Sequence, residues 1–121
     1  MRILPIALLA LAFESLAQLS TEFPPDSEPV TPALFEQRFA GRSLEGVRAD
    51  GTSFRIDPAR DGGYMEMSSG KSAQGKWRID AGKLCTEMYR TDSGCNEVRA
   101  QGEVLYYKRL RNGEVLTLKP R

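Results

Sequence analysis

The sequence predicts a mainly β domain: an antiparallel meander of seven to eight short strands, curled into a small barrel or half-barrel, with one short N-terminal helix. Three observations predict it. Turn signals recur roughly every 8 to 12 residues from Gly41 onward. Between them, apolar and polar residues alternate with the two-residue period of a strand. No helical run separates the strands, so no parallel crossover is available.

The elements follow in order. Met1 and Arg2 give a positive start, Ile3 to Phe13 is apolar apart from Pro5, and Ser15-Leu16-Ala17 places small residues at a cleavage position. Residues 1–17 therefore read as a secretory signal peptide, cut after Ala17 or within a few residues of it. The apolar run is roughly half the ~20 residues that would span a bilayer, and Glu14 ends it. The mature chain is expected to be periplasmic or secreted, with no membrane span. Residues 18–30, with Pro24, Pro25 and Pro29, read as a flexible Pro-rich leader.

A single domain is expected over 31–121. Thr31 is placed as a helix N-cap with Pro32 at the first helical position, and the helix is expected over 32–40, ending at Gly41 in a left-handed cap. Leu34, Phe35 and Phe39 share its apolar side. Strands are expected at 44–48, 53–57, 64–67, 76–80, 83–89, 95–99, 103–110 and 115–119, with Asn112-Gly113 the clearest hairpin turn. Leu84, Thr86 and Met88 share one face of their strand, and Cys85, Glu87 and Tyr89 the other. Curling such a meander into a barrel removes its edges.

Cys85 and Cys95 are the only cysteines. In an exported chain they are expected to form one disulfide across a hairpin that turns near Thr91 and Asp92. Closing so short a loop stabilises the fold by roughly 3 kcal/mol.

Composition excludes more than it assigns. The chain carries 17 Lys and Arg against 16 Asp and Glu, a net charge of +1, which gives no argument for nucleic acid or an anionic membrane. There is no histidine, which removes histidine bases and imidazole metal sites. Glu66, Glu87, Glu97 and Glu103 fall in or beside expected strands, so a carboxylate hydrolase is one reading, set against solvated outward acids. Ser68 and Ser69 precede Gly70-Lys71; a turn explains them better than a Ser–Lys pair or a phosphate loop. Met65, Met67 and Met88 are thioether candidates for Cu(I), set against use as core filler. Tyr106-Tyr107-Lys108-Arg109 mixes aromatics with charge, which an edge strand also explains.

Gly75-Lys76-Trp77 has the G-x-W form found on the first strand of lipocalins, which implies a similar barrel-closing tryptophan and no common ancestry. The wider pattern is Gly75-Lys76-Trp77-Arg78-Ile79-Asp80, then Gly82-Lys83-Leu84-Cys85, then Cys95-Asn96-Glu97-Val98. It resembles small exported proteobacterial β-domain proteins, over roughly Leu44 to Leu118. The resemblance implies a periplasmic, disulfide-bonded β domain and no activity.

The function these readings favour is a non-catalytic binding module, without cofactor, for a small apolar ligand or an envelope protein. Trp77, Tyr64, Tyr106 and Tyr107 are its candidate contacts. The alternative is an inhibitor of a secreted lysozyme or protease that inserts the disulfide-pinned hairpin 85–95, with Asp92 at its tip.

Overall fold

The computed structural model describes residues 19–121; the expected signal peptide lies outside the described residues. Strand β1 (Glu28–Pro29) and helix α1 (Pro32–Arg38) precede the barrel strands. These are β2 (Leu44–Val47), β3 (Ser53–Pro58), β4 (Gly63–Ser68), β5 (Lys71–Asp80), β6 (Lys83–Met88), β7 (Gly94–Gln101), β8 (Val104–Lys108) and β9 (Val115–Pro120). Each pairs antiparallel with the next, and β2 pairs with β9, so β2 to β9 close an eight-stranded barrel. The last seam is short: its register runs only Leu44↔Pro120 and Glu45↔Lys119.

The pleat decides what lies inside. Register aligns Leu44 with Ile56, Pro58 with Tyr64, Ile79 with Leu84, and Leu105 with Leu118. All are buried, and with Phe54, Val98 and Leu116 they fill the interior. A barrel of eight strands is just wide enough for side chains to pack across it. The helix completes that packing at one end. Thr31 Oγ1 accepts the Leu34 N–H at 3.1 Å as an N-cap, and Pro32 opens the first turn. Seven residues make no stable helix alone. Burial of Phe35 and Phe39, both with 0% exposure, holds it on the barrel. The Phe35 ring lies 4.7 Å from that of Trp77 on β5 and 5.5 Å from that of Phe39. The helix is shorter than expected: Phe39 caps it, its N–H bonded to the Phe35 carbonyl, and Gly41 takes the left-handed φ of 81° two residues later.

The leader is tied down where sequence alone predicts a loose segment. Val115 N–H donates to the Ser20 carbonyl at 2.6 Å, and the Arg99 guanidinium bonds Ser27 through both its hydroxyl and its carbonyl. Ser27 and Val30 are buried. Glu28 and Pro29 then pair with Ala100 and Arg99 of β7, beyond the point where β6 begins. β1 therefore fills the place that a longer β6 would occupy, a role set by tertiary pairing and invisible in Pro-rich sequence.

The disulfide matches expectation. Cys85 and Cys95 stand directly opposite on β6 and β7 and are bonded. β5 differs most: it begins at Lys71, five residues before the expected start at Lys76, because Ser69 and Gly70 turn β4 straight back onto it. Ser69 (φ 53°) and Gly70 (φ 75°) both take the left-handed backbone of a two-residue hairpin turn.

Candidate functional site: the loop end of the barrel

The two ends differ in chemistry. The helix end is sealed by Phe35 and Phe39 and by polar ties from the helix and its flank to β1 and the turns below. Arg38 bonds Glu28 at 2.7 Å, Arg42 bonds Glu103 at 3.1 Å, and Arg60 bonds Glu36 at 3.3 Å. The opposite end carries the connections 48–52, 69–70, 89–93 and 109–114.

Polar residues line the barrel wall there. The strand alternation that turns Tyr64 inward does the same for Glu66 and Ser68, and their neighbours across the barrel include Thr86, Asn96 and Tyr107, all half-buried. Arg48 lies over the mouth, its guanidinium 4.4 Å from the Phe54 ring centroid and 3.0 Å from Ser68 Oγ. Asn96 donates to the Lys108 carbonyl at 3.2 Å. Glu114, only 5% exposed, accepts from Arg109 at 3.2 Å and from the Ala49 N–H at 2.9 Å, which joins two of the four connections.

This environment changes two tyrosines. Burial, with the Glu66 carboxylate adding, holds the Tyr64 phenol well above its ordinary range. Tyr107 is pushed up to about 12, by burial first and Glu66 second, against opposing Arg109 and Arg48. A phenol whose folded-state pKa is raised binds its proton more tightly in the fold than in the unfolded chain. Its stabilisation is therefore complete below the unfolded value of 10.0 and is lost as pH rises from there toward about 12. Alkaline absorbance titration is expected to find Tyr64 and Tyr107 still protonated near about pH 11, and to find both ionising freely once denaturant opens the barrel.

The candidate residues fall into distinct places. Trp77 is half-buried at the helix end, its indole N–H donating to the Ala59 carbonyl at 2.7 Å. Tyr64 is buried in the core at 5% exposure. Both pack against the barrel's own core, Tyr64 within it and Trp77 at its margin. Tyr106 lies on the outer wall, its hydroxyl 3.1 Å from Gln101 Oε1. Tyr107 faces inward, and Asp92 is exposed on the 89–93 loop. The copper candidates separate: Met65 and Met67 are on the outer face of β4, where Met67 Sδ takes an N–H of Arg55 at 3.2 Å, whereas Met88 packs inward against the core. The barrel wall divides them, so no three-thioether site forms. The carboxylates divide in the same way, with Glu66 inward and Glu87 and Glu97 outward. Among the described residues, no group of three or more His, Cys, Asp or Glu is arranged to hold a metal.

The sequence reading missed the exposed apolar residues of this rim. Tyr89 is 65% exposed and Leu110 73%. They stand on neighbouring loops: a Cβ at Gly94, the residue after the 89–93 loop, would lie 3.9 Å from Leu110 Cδ1. For Tyr89 the signal was present, since it alternates with Cys85 and Glu87 on the face opposite Leu84 and Met88. A groove of about 460 Å3 runs beneath it between Ser72–Gln74 and Tyr89–Thr91. A second, of about 420 Å3, shares Tyr89 and Gln74 and continues along the outer wall past Met65.

No protein-family model and no curated protein matches this sequence. Among solved structures, an NMR structure of a protein from Burkholderia xenovorans aligns with 84% of this chain and 94% of its own at 17% identity, with a TM-score of 0.47.

Proposed function

We propose that the protein is an exported, non-catalytic binding module that contacts an envelope protein through its loop rim. One observation carries this reading: the barrel interior is filled by its own side chains, whereas Tyr89 and Leu110 project into solvent from neighbouring loops at the same end. A filled interior directs binding to the outside. Exposed apolar side chains on a loop rim, with Tyr89 on the loop that the disulfide braces, are the kind of anchor that protein interfaces use. The disulfide and the resemblance to exported β domains both support a periplasmic or secreted location.

The test is a pull-down from an envelope extract with the full chain as bait, in parallel with the double variant Tyr89→Ser/Leu110→Ser. A partner retained by the native chain and depleted about tenfold or more with the double variant, at unchanged unfolding midpoint, is the expected result. Thermal stabilisation by palmitate or a lysophospholipid, undiminished in the double variant, would overturn the reading in favour of a small apolar ligand.

One feature favours inhibition of a secreted hydrolase as the form this binding takes. The 89–93 loop springs from the disulfide-bonded pair of strands, and Ser93 Oγ accepts the Met88 N–H at 2.8 Å, so the loop is ordered before it meets a partner. Loss of inhibition of a lysozyme or protease on replacing Asp92 identifies that case.

A further inference from the structure

The wall of the barrel is incomplete beside the rim, between β5 and β6. β5 spans ten residues and β6 only six. β4 pairs with β5 along Lys71 to Lys76, but β6 is in register only from Gly75↔Met88 onward. One further bond, from the Tyr89 N–H to the Gln74 carbonyl at 3.0 Å, ends the ladder before the chain leaves into the 89–93 loop. In an antiparallel ladder, alternate residues direct their N–H and C=O groups to opposite neighbours. Gln74 directs its carbonyl toward β6, so Ser72, two residues earlier, directs both its groups the same way, where no strand stands opposite. Ser72 is exposed, and it lines the 460 Å3 groove with Ala73, Gln74, Tyr89, Arg90 and Thr91.

We propose that this edge of β5 receives an extended segment of the partner protein as an added strand, and that the segment carries a carboxylate. The inference rests on the rim reading above and specifies how the rim engages. An open strand edge beside a groove is the geometry of strand addition, in which main-chain bonds hold the segment and alternate side chains select it. Charge selects the occupant. Arg90 is the charged residue among those lining the groove, and Lys71 precedes Ser72. A lysine on an edge opposes pairing with a second copy of the same edge, because the two positive charges meet. The same charges attract an acidic segment. Tyr89, exposed above the groove, gives an apolar side chain of the segment a ring to lie on.

The test selects a displayed library of random eight-residue peptides on the full chain and then measures the recovered peptides against three variants. Ser72→Pro removes only an N–H that points away from β4, so the β4–β5 ladder is kept, and proline is tolerated on an edge strand. Arg90→Glu reverses the charge without touching the backbone. The expected result is peptides enriched in Asp and Glu that lose about tenfold or more in affinity with each of these variants, and that slow hydrogen exchange at the Ser72 amide. No binders, binders without acidic enrichment, or equal binding to folded Ser72→Pro overturns strand addition. Binders that survive both edge variants but are lost with Tyr89→Ser/Leu110→Ser retain the rim and reject the edge; binders indifferent to all three reject both. A chain that dimerises alone, and becomes monomeric with Ser72→Pro, assigns the edge to self-pairing and overturns the proposal.

Discussion

Replacing Phe35 by alanine is expected to destabilise the fold by about 3–5 kcal/mol, the range for deleting a fully buried aromatic side chain. Three features place it at the upper end. The ring has 0% exposure, and it contacts both the Phe39 and Trp77 rings. The two-turn helix that carries it has little intrinsic stability to resist the loss, so the cavity would take the closure of the barrel end with it. Urea unfolding followed by Trp77 fluorescence measures both effects. The midpoint should fall steeply, and the native emission should shift to the red as water reaches the indole. A variant that loses less than about 1 kcal/mol would show that the helix is not what seals this end.

Gly75→Ala is expected to have a comparably large effect by the opposite means, overpacking. Gly75 faces the interior on β5, directly opposite Met88 of β6. A Cβ there would overlap the Glu87 carbonyl oxygen and lie 2.8 Å from both the Cα and Sδ of Met88. The Met88 side chain can rotate away, but backbone cannot, so relief requires β6 to move off β5. Overpacking of this kind costs about 1–3 kcal/mol and more where main chain must shift. Glycine in a strand interior commonly marks such a close approach. Amide exchange would locate the damage: the ladder from Gly75↔Met88 to Trp77↔Thr86 should lose protection first, with the pairing of β3 and β4 least affected. Equal stability of the alanine variant, with native exchange, would remove the reason for glycine here.

The fold was legible because its code is local. Gly41, Gly113 and the two-residue turn at Ser69-Gly70 announce themselves by the positive φ they accept, although Asn112-Gly113 sits within a longer connection, 109–114, and not in a two-residue turn. Alternation then assigns Leu84, Phe54 and Ile56 to the inside without reference to any partner strand. What stayed hidden depends on distant pairing. Glu28-Pro29 has no strand character of its own and is a strand only because β7 presents Arg99 and Ala100 to it. Lys71 to Ala73 is too polar to read as a buried strand, and it is in fact half a strand, paired on one side.

The site was less legible than the fold, for a related reason. Aromatic residues were the natural nominees for contact, yet Trp77 and Tyr64 are the ones the barrel needs for itself. Burial of an aromatic depends on which face it occupies and on how far its strand runs beyond its neighbour. Alternation already turns Tyr89 outward with Glu87, but how much of it stays uncovered depends on β6 stopping one residue before it, which its immediate sequence does not set.

The two-pair seam between β2 and β9 has a consequence for the order in which the molecule can be made. Its halves lie about 75 positions apart in the chain, and the partners of β1 are nearly as distant. A polypeptide delivered from its N-terminal end can zip each hairpin as it arrives, yet the cylinder stays unlocked until Lys119 and Pro120 emerge. Vectorial delivery would thus leave an open, curling ribbon in waiting, and the shortest stitch among the eight barrel strands is also the final one.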